Sequence, residues 1–108
     1  MAKRRGLVNI EILPTAKADL NDIYQYIAKE SVKYAKIEKR LIIEAIDQLY
    51  TFPNSGAPFN YKNIEARRLI FRNYIIIYRY KTKDLLEVLT IHHQARLLSN
   101  NPALNDEE

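Results

Sequence analysis

The sequence predicts an α+β fold: a helical hairpin packed on a mostly antiparallel four-stranded sheet, in the order β-α-α-β-β-β. Three observations predict it. Residues 7–13 alternate between apolar and polar, as a half-buried strand does. Residues 16–50 repeat apolar side chains at helical spacing. Residues 65–92 hold three strand-like runs separated by short turns.

In the first element, LVNIEIL, Val8, Ile10 and Ile12 point one way and Asn9 and Glu11 the other. Pro14 ends that strand, and Thr15 is a candidate helix cap. The first helix is expected from about Ala16 to Glu30, with Leu20, Ile23, Tyr24 and Ile27 on one face. Asp19 and Asp22 stand near its start, where they complement the helix dipole. Ser31 reads as the cap of a second helix running to about Tyr50. Its stripe is Tyr34, Ile37, Leu41, Ala45 and Leu49, widened by Ile42 and Ile46. So short a joint implies an antiparallel hairpin.

Residues 52–63, FPNSGAPFNYKN, read as a loop punctuated by Pro53, Gly56 and Pro58. Strands are expected at about 65–72, 74–81 and 84–92. The middle one is apolar on both faces, which places it at the centre of the sheet. The first strand is expected beside a C-terminal strand. By alternation, His92 shares a face with Val88, and His93 shares the other with Leu89 and Ile91. Tyr24, Tyr34, Tyr74 and Tyr78 are expected to pack, while Tyr61 and Tyr80 are freer. A short helical turn or irregular segment follows from Gln94, and residues 1–6 and 100–108 read as flexible tails of a single domain.

Composition narrows the function. With 108 residues and 47% hydrophobic content, the chain is one ordinary globular domain. It has no cysteine, so it carries neither a disulfide framework nor a thiol nucleophile. Two histidines do not make a metal site, and no cofactor motif is present. The N-terminus, MAKRRGLVNI, lacks the apolar run of a signal peptide, and no stretch is long enough to span a bilayer, so a cytoplasmic location is expected. The net charge of +4 is unevenly spread: residues 61–96 hold eight basic and three acidic side chains. The C-terminal sheet is therefore the expected meeting place for an anionic partner.

The order and spacing of ILPTAKADLNDIYQYIA, LYTFPNSGAPF, RRLIFRNYIIIYRY and VLTIHHQAR resemble the RelE/ParE superfamily, the toxins of bacterial type II toxin–antitoxin modules. The resemblance runs from Ile10 to Arg96. It implies a cognate acidic antitoxin, bound as a hetero-oligomer, and a plasmid-stabilisation role. Members of the RelE and YoeB type cleave messenger RNA on the ribosome; members of the ParE type poison DNA gyrase by binding it. The ending His92, His93, Arg96 is similar to the ParE pattern. The histidine–tyrosine ending of YoeB is missing, and the lysine-rich strand of RelE is reduced to Lys62. The ParE type is thus favoured, with no catalysis of its own. A third reading is an antitoxin-bound module without toxic activity.

Each reading names its residues. For a metal-independent endoribonuclease the candidates are Arg67, Arg79, His92 and Glu65: cations for the phosphate, and an acid and a base for the ribose and the leaving oxygen. For target binding they are Arg67, Arg72, Arg79, His93 and Arg96. Leu20, Ile42 and Ile46, if exposed, would anchor the antitoxin. Arg79 stands out because it interrupts an apolar strand, so it needs either a carboxylate partner such as Glu87 or a functional groove.

Overall fold

The computed structural model describes residues 8–94. Arg96, the segment beyond Gln94 and the two tails lie outside the described residues. Two helices cover one face of a five-stranded mixed sheet. Strand β1 (Asn9–Ile12) leads into helix α1 (Pro14–Ala28), followed by α2 (Val32–Asp47) and a short 3-10 turn, Gln48–Tyr50. Then come β2 (Ala57–Tyr61), β3 (Ile64–Phe71), β4 (Tyr74–Thr82) and β5 (Leu85–His93). Their order across the sheet is β1-β5-β4-β3-β2. As expected, β4 is central and β1 lies beside a C-terminal strand; it runs parallel to β5 because the helical hairpin returns the chain to its starting side.

The expected four-stranded sheet needs correcting to five. Strand β2 lies inside the stretch read as a loop, because Gly56 and Pro58 masked its alternation. It is an edge strand, where a proline costs little. Lys62 and Asn63 turn it into β3 with φ angles of 51° and 68°, the left-handed pair that a tight hairpin needs. The Asn60 carboxamide accepts the Asn63 N–H at 3.1 Å and locks that turn.

Helix capping was legible only once. Ser31 caps α2, accepting the Tyr34 N–H at 3.0 Å. Thr15 does not cap α1: Leu13 holds the cap position, and Pro14 begins the helix with its φ already set. Asp19 lies beyond the first turn and has another task. Its carboxylate accepts the Ile91 N–H at 3.0 Å and the Thr90 hydroxyl, tying α1 to β5 past the point where β1 ends.

The core lies between the hairpin and one sheet face. It joins Leu20 and Ile23 of α1 and Ile42, Ile46 and Leu49 of α2 to Tyr74, Ile76, Tyr78, Leu86, Val88 and Ile91. Each fully buried aliphatic side chain there contributes about 1.5–3 kcal/mol of transfer free energy. Leu20, Ile42 and Ile46 are 5%, 0% and 1% exposed, so the anchors expected for the antitoxin are core residues that a partner cannot reach. Tyr34, expected to pack, is 54% exposed. The buried stripe of α2 is instead Ala35, Glu38, Ile42, Ala45 and Ile46, continued by Leu49.

A bulge changes the parity of β5. Ile77 pairs with Thr90 but Tyr78 pairs with Val88, so Leu89 is an extra residue. Val88 therefore shares the helix-facing side with Ile91 and His93, and His92 does not share a face with Val88.

Candidate functional site

The arginines of the sheet are positioned by strand register, and most are committed. Arg67 sits directly opposite Tyr78, on the helix-facing side. Its guanidinium donates to the Gly56 carbonyl at 2.6 Å and to the Asn54 carbonyl at 3.2 Å. The Tyr78 hydroxyl donates to the Pro53 carbonyl at 2.8 Å and accepts the Gly56 N–H at 2.9 Å. The Tyr80 hydroxyl donates to the Asn54 side chain at 2.8 Å. Three side chains thus buckle residues 53–56 onto the sheet. Burial pushes the Tyr78 hydroxyl pKa up.

Arg79 is one residue further along β4, so it faces the opposite side from Arg67. Its Nε lies 3.0 Å from Glu87 Oε1, and Lys81 Nζ lies 3.7 Å from the other oxygen. Glu87 is 5% exposed, so these cations compensate a buried carboxylate. Arg68 is exposed and lies over the Phe59 ring at 5.3 Å.

Arg72 turns β3 into β4 with a left-handed φ of 56°. Its Nη2 reaches Glu38 Oε1 on α2 at 3.4 Å. Glu38 Oε2 accepts the Tyr74 hydroxyl at 3.3 Å. Burial first, and then the negative charge of Glu38, push the Tyr74 pKa up to about 12. The His93 ring meets Tyr74 edge-on at 5.3 Å, so His93 is the histidine on the helix-facing side. His92 stands opposite Ile75, with Nε2 3.4 Å from the Thr90 hydroxyl.

Three of the four ribonuclease candidates come together, and His92 does not join them. Glu65, Arg67 and Arg79, with Tyr80, line a recess of about 330 Å³. That recess is a fork in the sheet: β3 and β4 pair only from Arg67–Phe71 to Tyr74–Tyr78. Past the fork, Glu65 and Ala66 stay with β2, while Arg79 and Tyr80 stay with β5. His92 is four residues along β4 from Arg79, about 13 Å at strand rise. Among the described residues no group of three His, Cys, Asp or Glu side chains is placed to hold a metal.

A second concavity escaped the sequence reading. A groove of about 360 Å³ runs between α2 and β3, lined by Leu41, Ala45, Leu69, Ile70 and Phe71 with Glu44, Gln48 and Ser55 at its edge. Of the stripe expected on α2, Leu41 and Ala45 line this groove, and Ala45 also belongs to the core. The signal was present: α2 carries two overlapping apolar stripes, more than one buried face requires.

The profile of the ParE toxin family of type II toxin–antitoxin systems matches residues 10–98. The chain belongs to the ParE toxin family. No curated protein matches it. Among solved structures, this ParE-family chain is similar to one from the chromosomal ParDE toxin–antitoxin system of P. aeruginosa. The TM-score is 0.68 and the identity 22%, covering 81% of this chain and 96% of the other. It is also similar to one from the RelBE2 toxin–antitoxin complex of Mycobacterium tuberculosis, with a TM-score of 0.54 and 18% identity, covering 81% and 98%. At such identities the likeness concerns the fold. The RelE/ParE resemblance and its ParE leaning therefore hold. Among the described residues of this ParE-family chain, no helix is long and apolar enough to cross a membrane.

Proposed function

We infer that this chain is the toxin of a type II toxin–antitoxin module, which inhibits DNA gyrase by binding it and is neutralised by a cognate acidic antitoxin. One observation carries the preference for binding over catalysis: the candidate catalytic groups are already spent or apart. Arg67 is bonded to the 53–56 loop, Arg79 to Glu87, and His92 lies far along β5 from both. General acid–base chemistry needs an acid, a base and cations within hydrogen-bond reach of one phosphate. Of the residues expected to meet the target, Arg72 is half exposed; with Arg68 and Lys81 it leaves a basic surface on the sheet and its turn. Such a surface steers an acidic protein partner without chemistry.

The groove between α2 and β3 is the neutralising site in this reading. Its occupant is an amphipathic helix of the acidic antitoxin, because an apolar floor takes a helix stripe; Arg40 and Arg72 stand beside it, paired with Glu44 and Glu38. A cytoplasmic, plasmid-stabilising role accompanies this reading.

Purified chain added to gyrase and plasmid DNA tests the target. Loss of supercoiling, with accumulation of cleaved DNA, supports gyrase inhibition. Intact supercoiling together with cleaved transcripts in expressing cells moves the assignment to a ribosome-dependent endoribonuclease. Normal growth on expression leaves the module without toxic activity.

A further inference from the structure

The charges of α2 run against its dipole. A helix carries partial positive charge at its N-terminus and partial negative charge at its C-terminus, so acids suit the first turn and bases the last. In α2 the first turn holds Lys33 and no acid, while the last holds Glu44 and Asp47 and no base. Lys36, Lys39 and Arg40 follow Lys33, and all four are exposed. Lys36 lies three residues from both Lys33 and Lys39 and four from Arg40, the spacings at which like charges repel. Of the four, Arg40 alone has an acidic partner, Glu44 at 3.3 Å. Among the described residues no salt bridge joins Lys33, Lys36 or Lys39 to an acid. Lys39 stands over the Tyr24 ring at 5.7 Å, so it leans towards α1. Folding gains nothing from this arrangement, whereas a ligand with regularly spaced negative charge does.

Lys33, Lys36 and Arg40 share the outer face of α2, opposite the buried Ala35, Ile42 and Ile46. They span about 10 Å at helical rise. Three nucleotide steps of one DNA strand cover about 10 Å along the duplex axis. Protein interfaces are depleted in lysine, whereas a lysine ammonium is a compact point charge suited to phosphate. A membrane surface needs an apolar helix face to bury, and that of α2 is committed to the core and the groove. A single strand needs exposed rings to stack on, and Tyr24 is half-buried beneath Lys39. The four side chains are donors only, with no acceptor for a ribose 2′-hydroxyl.

We propose that the stripe Lys33, Lys36, Lys39 and Arg40 binds the phosphate backbone of duplex DNA, without regard to base sequence. It lies on a different face of α2 from the groove and does not rest on gyrase being the target.

The test is fluorescence anisotropy of the full chain on a labelled, mixed-sequence DNA duplex with no other protein present. With about three phosphates neutralised, log affinity should fall against log salt with a slope of about −3, a loss of about fiftyfold between about 50 and 200 mM. Lys33→Gln combined with Lys36→Gln should reduce that slope by about 2. It should also raise the melting temperature, because it removes a like-charge pair and a cation from the first turn. Lys62→Gln combined with Lys83→Gln changes the net charge equally, at exposed turn positions away from α2, and should leave the slope unchanged. Absence of binding, a salt-independent signal, or equal losses in the two double variants overturns the proposal. A lower melting temperature in the α2 variant does so too, because the lysines then serve the fold. Tighter binding to duplex RNA of the same sequence, or to phosphatidylserine vesicles, overturns the choice of DNA.

Discussion

The Tyr74 hydroxyl donates to Glu38 Oε2 at 3.3 Å across the interface of α2 and β4, where both residues are buried. Glu38 is thereby held at the core boundary between a phenol inside and the Arg72 guanidinium outside. A buried carboxylate stripped of its donor costs more than an ordinary hydrogen bond. Tyr74→Phe should therefore lower the free energy of unfolding by about 1–3 kcal/mol at neutral pH, read by urea denaturation.

The same pair fixes an alkaline limit. The folded-state pKa of Tyr74 is about 12 against 10.0 for the free side chain, so the folded protein holds this proton where the unfolded chain releases it. The resulting stability is fully present below pH 10 and is lost as pH rises towards 12. Two pKa units correspond to about 3 kcal/mol. Unfolding midpoints should fall between pH 10 and 12 in the wild type and fall less steeply in Tyr74→Phe.

Gly56 has no room for a side chain. A Cβ there would meet the Tyr78 ring at 2.8 Å and the Arg68 carbonyl at 2.9 Å. Gly56→Ala should destabilise by about 1–3 kcal/mol through overpacking. It should also free the 53–56 buckle, visible as faster amide exchange at Gly56 and its neighbours.

Arg79 and Glu87 form a pair in which the acid is buried and the base is one-third exposed. Removing only the base leaves a buried charge facing Lys81 alone, so Arg79→Ala should cost about 1–3 kcal/mol. Replacing both partners with leucine should recover most of that loss, and a double-mutant cycle measures the difference.

Leu41 and Leu69 line the groove and are half-buried rather than core. Leu41→Glu should change stability by less than about 1 kcal/mol, as near-surface substitutions do, while abolishing rescue by a co-expressed acidic partner. Persistent rescue would place the neutralising contact elsewhere.

Glu65→Gln combined with His92→Gln should leave growth arrest on expression unchanged, since these side chains lie at separate places on the sheet. A hundredfold or greater loss of killing would restore the acid–base reading.

Local preference accounts for the periodic part of this protein. Alternation in β1 and β4, the Ser31 cap and the spacing in α1 specify local backbone states that depend on near neighbours alone. The arrangement of HHQAR after VLTI, with the chain's other segments in order, was enough to place it in the RelE/ParE superfamily. Strand β2 was hidden twice over: Gly56 and Pro58 mask its alternation, and its turn uses Lys62 and Asn63 in left-handed conformations with no glycine to announce them.

Which side chains meet follows from long-range packing and register. One bulged residue, Leu89, reverses the parity of β5 and so decides which residues His92 and His93 accompany. Register sets Arg67 opposite Tyr78 and turns it away from Arg79. Whether Leu41 packs in the core or lines a groove depends on how far the sheet extends beyond α2. These are long-range relations. A single-residue slip changes every face beyond it, while the composition and local periodicity of the chain stay the same.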